Sequence, residues 1–262
     1  MPTVAINGLG RIGRAALKIL LDSDGFELAA VNDIAAADNL AYLINYDTVY
    51  GRYHRKVSAE DGALVVDDRR IPVFTERDPG ALPWGDLGVD LVLECTGVFS
   101  TEQDLSKHDS PSRSFRRGRR GRAAAANLVP ASTGAARATT RALPELTGRF
   151  DGVALRAPIP VGSIADIVFV ASRATTAEAV NDAFRQEAAT ERYQEVLGVS
   201  DDPLVSADIV GDPRAAVVDL ELTTVVDGTL VKVMAWYDNE WGFTHQMIRE
   251  ARNTLAAPAP LR

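Results

Sequence analysis

Apolar residues follow two rhythms along the first third of the chain. A strand-like run, Val4-Ala5-Ile6 within Thr3–Asn7, gives way after two glycines to Arg11–Asp22. There Ile12, Ala15, Ala16, Ile19 and Leu20 recur on one side at helical spacing. Residues 26–32 read as a second strand and 38–45 as a short helix. Three strand-like pieces follow, around 56–58, 63–66 and 71–74. Asp61-Gly62 between two alternating runs signals a hairpin. Residues 89–95 are apolar enough for a strand buried on both faces. Strand and helix alternating through short connections predict an α/β fold on a mostly parallel sheet. Farther on, residues 152–159, 164–172, 216–226 and 230–236 read as strands and 242–255 as a closing helix.

Composition narrows the classes. At 262 residues, with 46% hydrophobic and 24% charged, the chain is long enough for one large or two smaller globular domains. A net charge of −8 argues against nucleic acid or an anionic membrane as partner. Pro2 and Thr3 lead straight into the first strand, so no secretory leader is expected, and no uncharged apolar run reaches the ~18 residues of a membrane span. One cysteine, Cys95, excludes an internal disulfide and fits a reducing, cytoplasmic setting.

The chemistry begins at the first strand–helix junction, Asn7-Gly8-Leu9-Gly10-Arg11-Ile12-Gly13. This is a G-x-G-x-x-G fingerprint in its required context: a strand before, a helix after, and an acid, Asp33, roughly 20 residues on at the end of the second strand. Gly8 permits the tight turn, Gly10 lets a pyrophosphate approach the backbone, and Gly13 lets helix and strand pack closely. The helix N-terminus offers free N–H groups to phosphate. Asp33 would accept ribose hydroxyls and repel a 2′-phosphate, which favours NAD over NADP.

At this point the chain resembles the glyceraldehyde-3-phosphate dehydrogenase family. The resemblance lies in residues 4–14, Val31-Asn32-Asp33, Tyr46-Asp47, Glu76-Arg77-Asp78-Pro79, Glu94-Cys95-Thr96-Gly97, residues 122–136, 150–162 and 236–243, in the family's order. It implies that Arg11 and Ile12 hold the pyrophosphate, that Arg77 lies near the adenine and Thr96 near the cofactor, and that Asn239 holds the nicotinamide carboxamide. Arg77 equally suits a solvated loop, Thr96 a strand end, and Asn239 a helix cap. The resemblance further assigns Thr133 and Gly134, after Ser132, and Arg156 to the substrate's phosphate and to inorganic phosphate. Arg122 matches an anion-site arginine in an altered neighbourhood.

One stretch departs from the family pattern. The family carries its nucleophilic cysteine, two threonines and an asparagine, then a histidine base, between the helix at 101–107 and a Pro-Ser loop. Here Asp109-Ser110-Pro111-Ser112-Arg113 already resembles the loop beyond that segment, and Arg-Arg-Gly is then repeated. Six arginines stand within 113–122, with Phe115 the one aromatic among them, which does not make a nucleic-acid patch. His54, His108 and His245 match no family base, and Cys95 sits at a strand end, so no catalytic residue is assigned; nor is any metal site.

The fold expected is a Rossmann-type dinucleotide-binding domain at 1–108, completed by the C-terminal helix within 242–262. A second α+β catalytic-type domain is expected at 109–241, both domains being incomplete and stability therefore in question. The family reaction is the NAD-dependent oxidative phosphorylation of glyceraldehyde 3-phosphate in glycolysis. Three readings stay open: an inactive family member, an NAD-binding pseudoenzyme subunit beside full-length homologues, and a dehydrogenase of a related sugar phosphate such as erythrose 4-phosphate. Glyceraldehyde 3-phosphate or inorganic phosphate is the expected ligand, and a homo-oligomer weakened by the arginine run the expected assembly.

Overall fold

The structure, a computed structural model, describes residues 1–99 and 128–256. The chain divides into two compact units, Met1–Pro111 with Val161–Arg262, and Ser112–Pro160. These units cut the chain differently from the expected 1–108 and 109–241: residues 161–241 group with the first 111. The expected helix at 101–107, Arg122 and the arginine run, and His108 lie outside the described residues.

The larger unit begins with β1 (Thr3–Asn7), α1 (Arg11–Asp22), β2 (Glu27–Asn32), α2 (Ala37–Asn45) and two short pieces, β3 (Tyr46–Asp47) and β4 (Gly51–Arg52). β5 (Val57–Glu60), β6 (Ala63–Val66), β7 (Arg69–Phe74) and β8 (Leu91–Glu94) follow. One sheet takes the order β5-β6-β7-β2-β1-β8, in which β7, β2, β1 and β8 are parallel. β5, β6 and β7 form an antiparallel meander on one side. Asp61 (φ 45°) and Gly62 (φ 73°) make the tight turn of its first hairpin, as their sequence predicts. The chain leaves β1 toward β2 and later returns to β1's other flank as β8. The order of the strands thus reverses between β1 and β8, where open α/β sheets present their ligand crevice.

The apolar face of α1 explains why this sheet holds. Ala16, Leu17 and Leu20 pack with Val4, Ile6, Leu28 and Val31 from the sheet and with Leu40 and Ile44 from α2. The last helix, α5 (Trp241–Ala256), adds Ile248 and Ala251 to the same core.

The unit's second sheet takes the order β11 (Ser163–Val170), β14 (Leu230–Tyr237), β13 (Ala216–Val226), β12 (Leu197–Ser200). The helix α4 (Ala177–Ala188) covers one face, with Val180 and Phe184 on Val218, Leu220, Val231 and Val233. Thr176 caps that helix through the Ala179 N–H. At the sheet's edge, six of the eight residues of β11 are exposed, among them Val168, Phe169 and Val170. The smaller unit holds β9 (Val129–Ser132), α3 (Ala135–Ala142) and β10 (Val153–Arg156). The strand expected at 152–159 is shorter than its apolar run and pairs with β9 in a two-stranded ribbon. Among the described residues of this unit, Ala136 alone is buried, while Val153 and Leu155 face solvent.

Such exposure is a template for association. Val170→Lys is expected to change unfolding free energy by less than ~0.5 kcal/mol and to lower light scattering during incubation at 37 °C. Leu64→Ala, in the buried meander, should cost about 2–5 kcal/mol in denaturant titrations.

Candidate functional site

The glycine turn is built by close approach. Gly8 has φ 94°, and a Cβ there would meet the Thr96 nitrogen at 2.7 Å, so the end of β1 is pressed against the end of β8. A Cβ on Gly13 would stand 1.8 Å from the Gly8 carbonyl oxygen, which ties the first turn of α1 to the same loop. Gly10 is different: nothing lies within 4 Å of its missing Cβ. It is the N-cap of α1 and exposed, and the helix has no side-chain cap and no acid in its first turn. The N–H groups of Arg11 and Ile12 are therefore presented to a bare approach, which fits a pyrophosphate.

A row of polar side chains holds the strand ends around this turn. Asn7 donates to Glu94 Oε2 at 2.6 Å, and Asn32 donates to Asn7 Oδ1 at 2.8 Å and to the Glu76 carbonyl at 2.9 Å. The Glu76 N–H returns a bond to Asn32 Oδ1 at 2.9 Å. At the other end Glu94 Oε1 accepts from the Thr96 N–H at 2.7 Å and from the Thr96 hydroxyl. The network crosses β8, β1 and β2 and reaches the segment after β7, and so fixes the exits on which Thr96, the glycine turn and Arg77 stand. Thr96 is half-buried at its strand end, whereas Arg77 is exposed one residue beyond the pinned Glu76. Asn7, Asn32 and Glu94 carry this structure, and only their place in motifs hinted at it.

Asp33 closes β2 beside the turn. Its Oδ2 accepts the Leu9 N–H at 2.7 Å and its Oδ1 the Ala35 N–H at 2.8 Å. Two of a carboxylate's roughly four acceptor positions are then occupied, leaving capacity for ribose hydroxyls. Fingerprint turn and acid are thus brought together by a direct bond.

The C-terminal motif meets this site through α5. Arg11 forms an ion pair with Glu240, so its side chain, expected at the pyrophosphate, reaches across to the last helix. Asn239 does not cap α5. Asp238 does, its Oδ1 accepting the N–H groups of Glu240 (2.9 Å) and Trp241 (2.8 Å). Asn239 instead accepts the Gly162 N–H at 3.0 Å through Oδ1, which leaves its Nδ2 as the donor a carboxamide oxygen would take.

In the smaller unit, Thr133 and Gly134 follow β9, and Thr133 Oγ1 accepts the Ala135 N–H at 3.1 Å. Register pairs Ser132 with Val153 and Val129 with Arg156. Thr133 and Arg156 therefore stand at opposite ends of the ribbon, roughly 14 Å apart along the strand at ~3.4 Å per residue. The ribbon does not bring the two side chains to one point. Arg156 is exposed and, among the described residues, has no ion-pair partner, so its charge is solvated and available.

The glycine geometry separates two effects of substitution. Gly10→Val is expected to keep its melting temperature and lose NAD affinity by calorimetry, because it obstructs only the approach of the ligand. Gly13→Ala should cost roughly 1–3 kcal/mol in stability through overpacking. Asp33→Ala should narrow the preference for NAD over NADP, and unchanged discrimination would assign it to another residue.

Two sequence profiles match the chain: glyceraldehyde 3-phosphate dehydrogenase, NAD binding domain, over residues 2–102, and glyceraldehyde 3-phosphate dehydrogenase, C-terminal domain, over residues 87–239. Glyceraldehyde-3-phosphate dehydrogenase 2 of Streptomyces arenae is 37% identical over 325 positions, covering 94% of this chain and 96% of the relative. The glyceraldehyde-3-phosphate dehydrogenase of Clostridium acetobutylicum is 35% identical over 332 positions, covering 95% and 97%. Both alignments are longer than the 262 residues of this chain, so part of each relative finds no counterpart here. With both profiles matched and these identities spread along its length, the chain belongs to the glyceraldehyde-3-phosphate dehydrogenase family, and NAD is its cofactor.

Proposed function

We propose that this chain is an NAD-binding family member that does not carry out the phosphorylating oxidation of glyceraldehyde 3-phosphate. By the resemblance, that reaction needs a thiolate to add to the aldehyde and a base to take the proton. The state of Cys95, the single thiol, carries the reading. It closes β8 beneath the glycine turn, its Cβ 3.4 Å from where a Cβ of Gly13 would stand. Burial first, and the Glu94 charge second, push its pKa up to about 12. A thiol so raised stays protonated at neutral pH, where reactive thiols are held near or below neutrality.

The described histidines do not offer a base to it. His54 Nε2 lies 3.4 Å from Asp22, at the end of α1 opposite the glycine turn, and the His245 ring packs tilted against Trp241, centroids 5.5 Å apart. Binding functions are kept in this reading. The glycine turn, Asp33, Thr96 and Asn239 hold NAD; Thr133, Gly134 and Arg156 hold glyceraldehyde 3-phosphate or inorganic phosphate. The single cysteine supports a reducing, cytoplasmic setting.

The purified chain is expected to form no NADH from glyceraldehyde 3-phosphate and phosphate above the protein-free rate, while binding NAD in calorimetry. A turnover above ~1 s⁻¹ that vanished in Cys95→Ser would make Cys95 the nucleophile and end this reading. The same turnover surviving Cys95→Ser would end it too, and would require a different chemistry.

A further inference from the structure

Asn239 stands between two carboxylates, and both are engaged. Glu240 pairs with Arg11 at the start of α1. Asp238 is 1% exposed and gathers four donors. Besides the N–H groups of Glu240 and Trp241, its Oδ2 accepts the Gly211 N–H at 2.9 Å, and the Tyr50 hydroxyl donates to Oδ1 at 2.9 Å. Tyr50 lies 188 residues away in the connection between β3 and β4. That connection is itself held, since Asp47 Oδ1 accepts the N–H groups of Val49 (2.8 Å) and Tyr50 (3.1 Å). The Tyr50 ring packs against Trp241, centroids 5.2 Å apart.

We propose that Tyr50 is a positioning residue for the nicotinamide half of the cofactor: through Asp238 it fixes the backbone that presents Asn239. The inference rests on the reading that Asn239 holds the nicotinamide carboxamide. Asp238 binds the Glu240 N–H, so the orientation of its carboxylate sets the peptide that follows Asn239. Three backbone donors alone leave that carboxylate free to tilt between α5 and the Gly211 loop. The phenol, anchored by its ring on Trp241, removes that freedom. Burial first, then the Asp238 charge and hydrogen bond, keep the phenol protonated far above its ordinary range, so it is a permanent donor. Losing the hydroxyl leaves Asp238 with its three N–H partners, so the fold is kept and only the alignment of Asn239 is loosened.

The test compares NAD with ADP-ribose, which lacks the nicotinamide, by calorimetry on the full chain. Wild type should bind NAD more tightly, and Asn239→Ala should bring NAD to the affinity of ADP-ribose. If wild type binds both equally, or Asn239→Ala keeps the difference, the reading of Asn239 fails and the proposal with it. Tyr50→Phe, which keeps the ring on Trp241, should weaken NAD by ~3- to 10-fold and leave ADP-ribose unchanged. Equal weakening of both ligands would reduce Tyr50 to a structural residue, and unchanged affinity for both would overturn its role outright.

Discussion

Two buried asparagines, Asn7 and Asn32, hold the ends of the parallel strands in one row. Each is less than 5% exposed, and an amide so buried must find hydrogen-bond partners or cost a few kcal/mol. The partners it finds are one another, Glu94, and the backbone at Glu76. The row is continuous, so displacing one strand end breaks bonds at its neighbours. Four of the positions expected at the cofactor hang from it: the glycine turn leaves Asn7, Asp33 follows Asn32, Arg77 follows Glu76, and Thr96 is bound to Glu94. Backbone packing continues the same constraint. Gly8 can press on Thr96, and Gly13 on Gly8, only while β1 and β8 keep their relative height.

The C-terminal motif joins this frame by different means. α5 buries Ile248 and Ala251 in the first core, but its N-terminal turn is placed by charge. Asp238 accepts donors from three segments and Glu240 reaches Arg11, so the residue between them is located from both sides. Small residues complete the seat. A Cβ at Gly242 would meet the Arg214 carbonyl at 2.5 Å, and the Arg214 guanidinium fills the space above Gly198. The loop 211–214 thus supports α5 from beneath while Arg214 is held in a fork by Asp212, at 3.0 and 2.6 Å.

What the sequence disclosed depended on how local each constraint is. The first strand and helix, the Asp61-Gly62 hairpin and the fingerprint are set by neighbours a few residues apart, and the pattern of residues 3–74 located them to within a residue or two at most ends. The strand at 152–159 was overestimated because an apolar run reports burial, and its partner β9 spans only four residues. α4 was not anticipated: its apolar positions are mostly alanine, and none of its residues is fully buried. In the site, glycines and Asp33 were legible because their geometry is carried by one turn. The cap of α5 was assigned to Asn239 as an alternative, where the structure uses Asp238, since two adjacent residues of similar capping strength are not told apart without coordinates. Tyr50 and Glu240 were invisible because their partners lie 188 and 229 residues away.

Binding and bond-making place opposite demands on the end of β8. To hold a dinucleotide, the turn must close tightly: Gly8 against the Cys95–Thr96 peptide, Gly13 against Gly8, with the Cys95 Cβ filling the space behind. That closeness leaves the thiol only partly accessible and sets it beside Glu94, whose carboxylate is already committed to Asn7 and Thr96. Ionising Cys95 there would put a second negative charge against the row that aligns the strands, and burial and the Glu94 charge both oppose it. Relieving it by opening the turn would undo the contacts that make the pyrophosphate seat. The contacts that close the glycine turn and the surroundings that raise the Cys95 pKa are therefore parts of the same short segment.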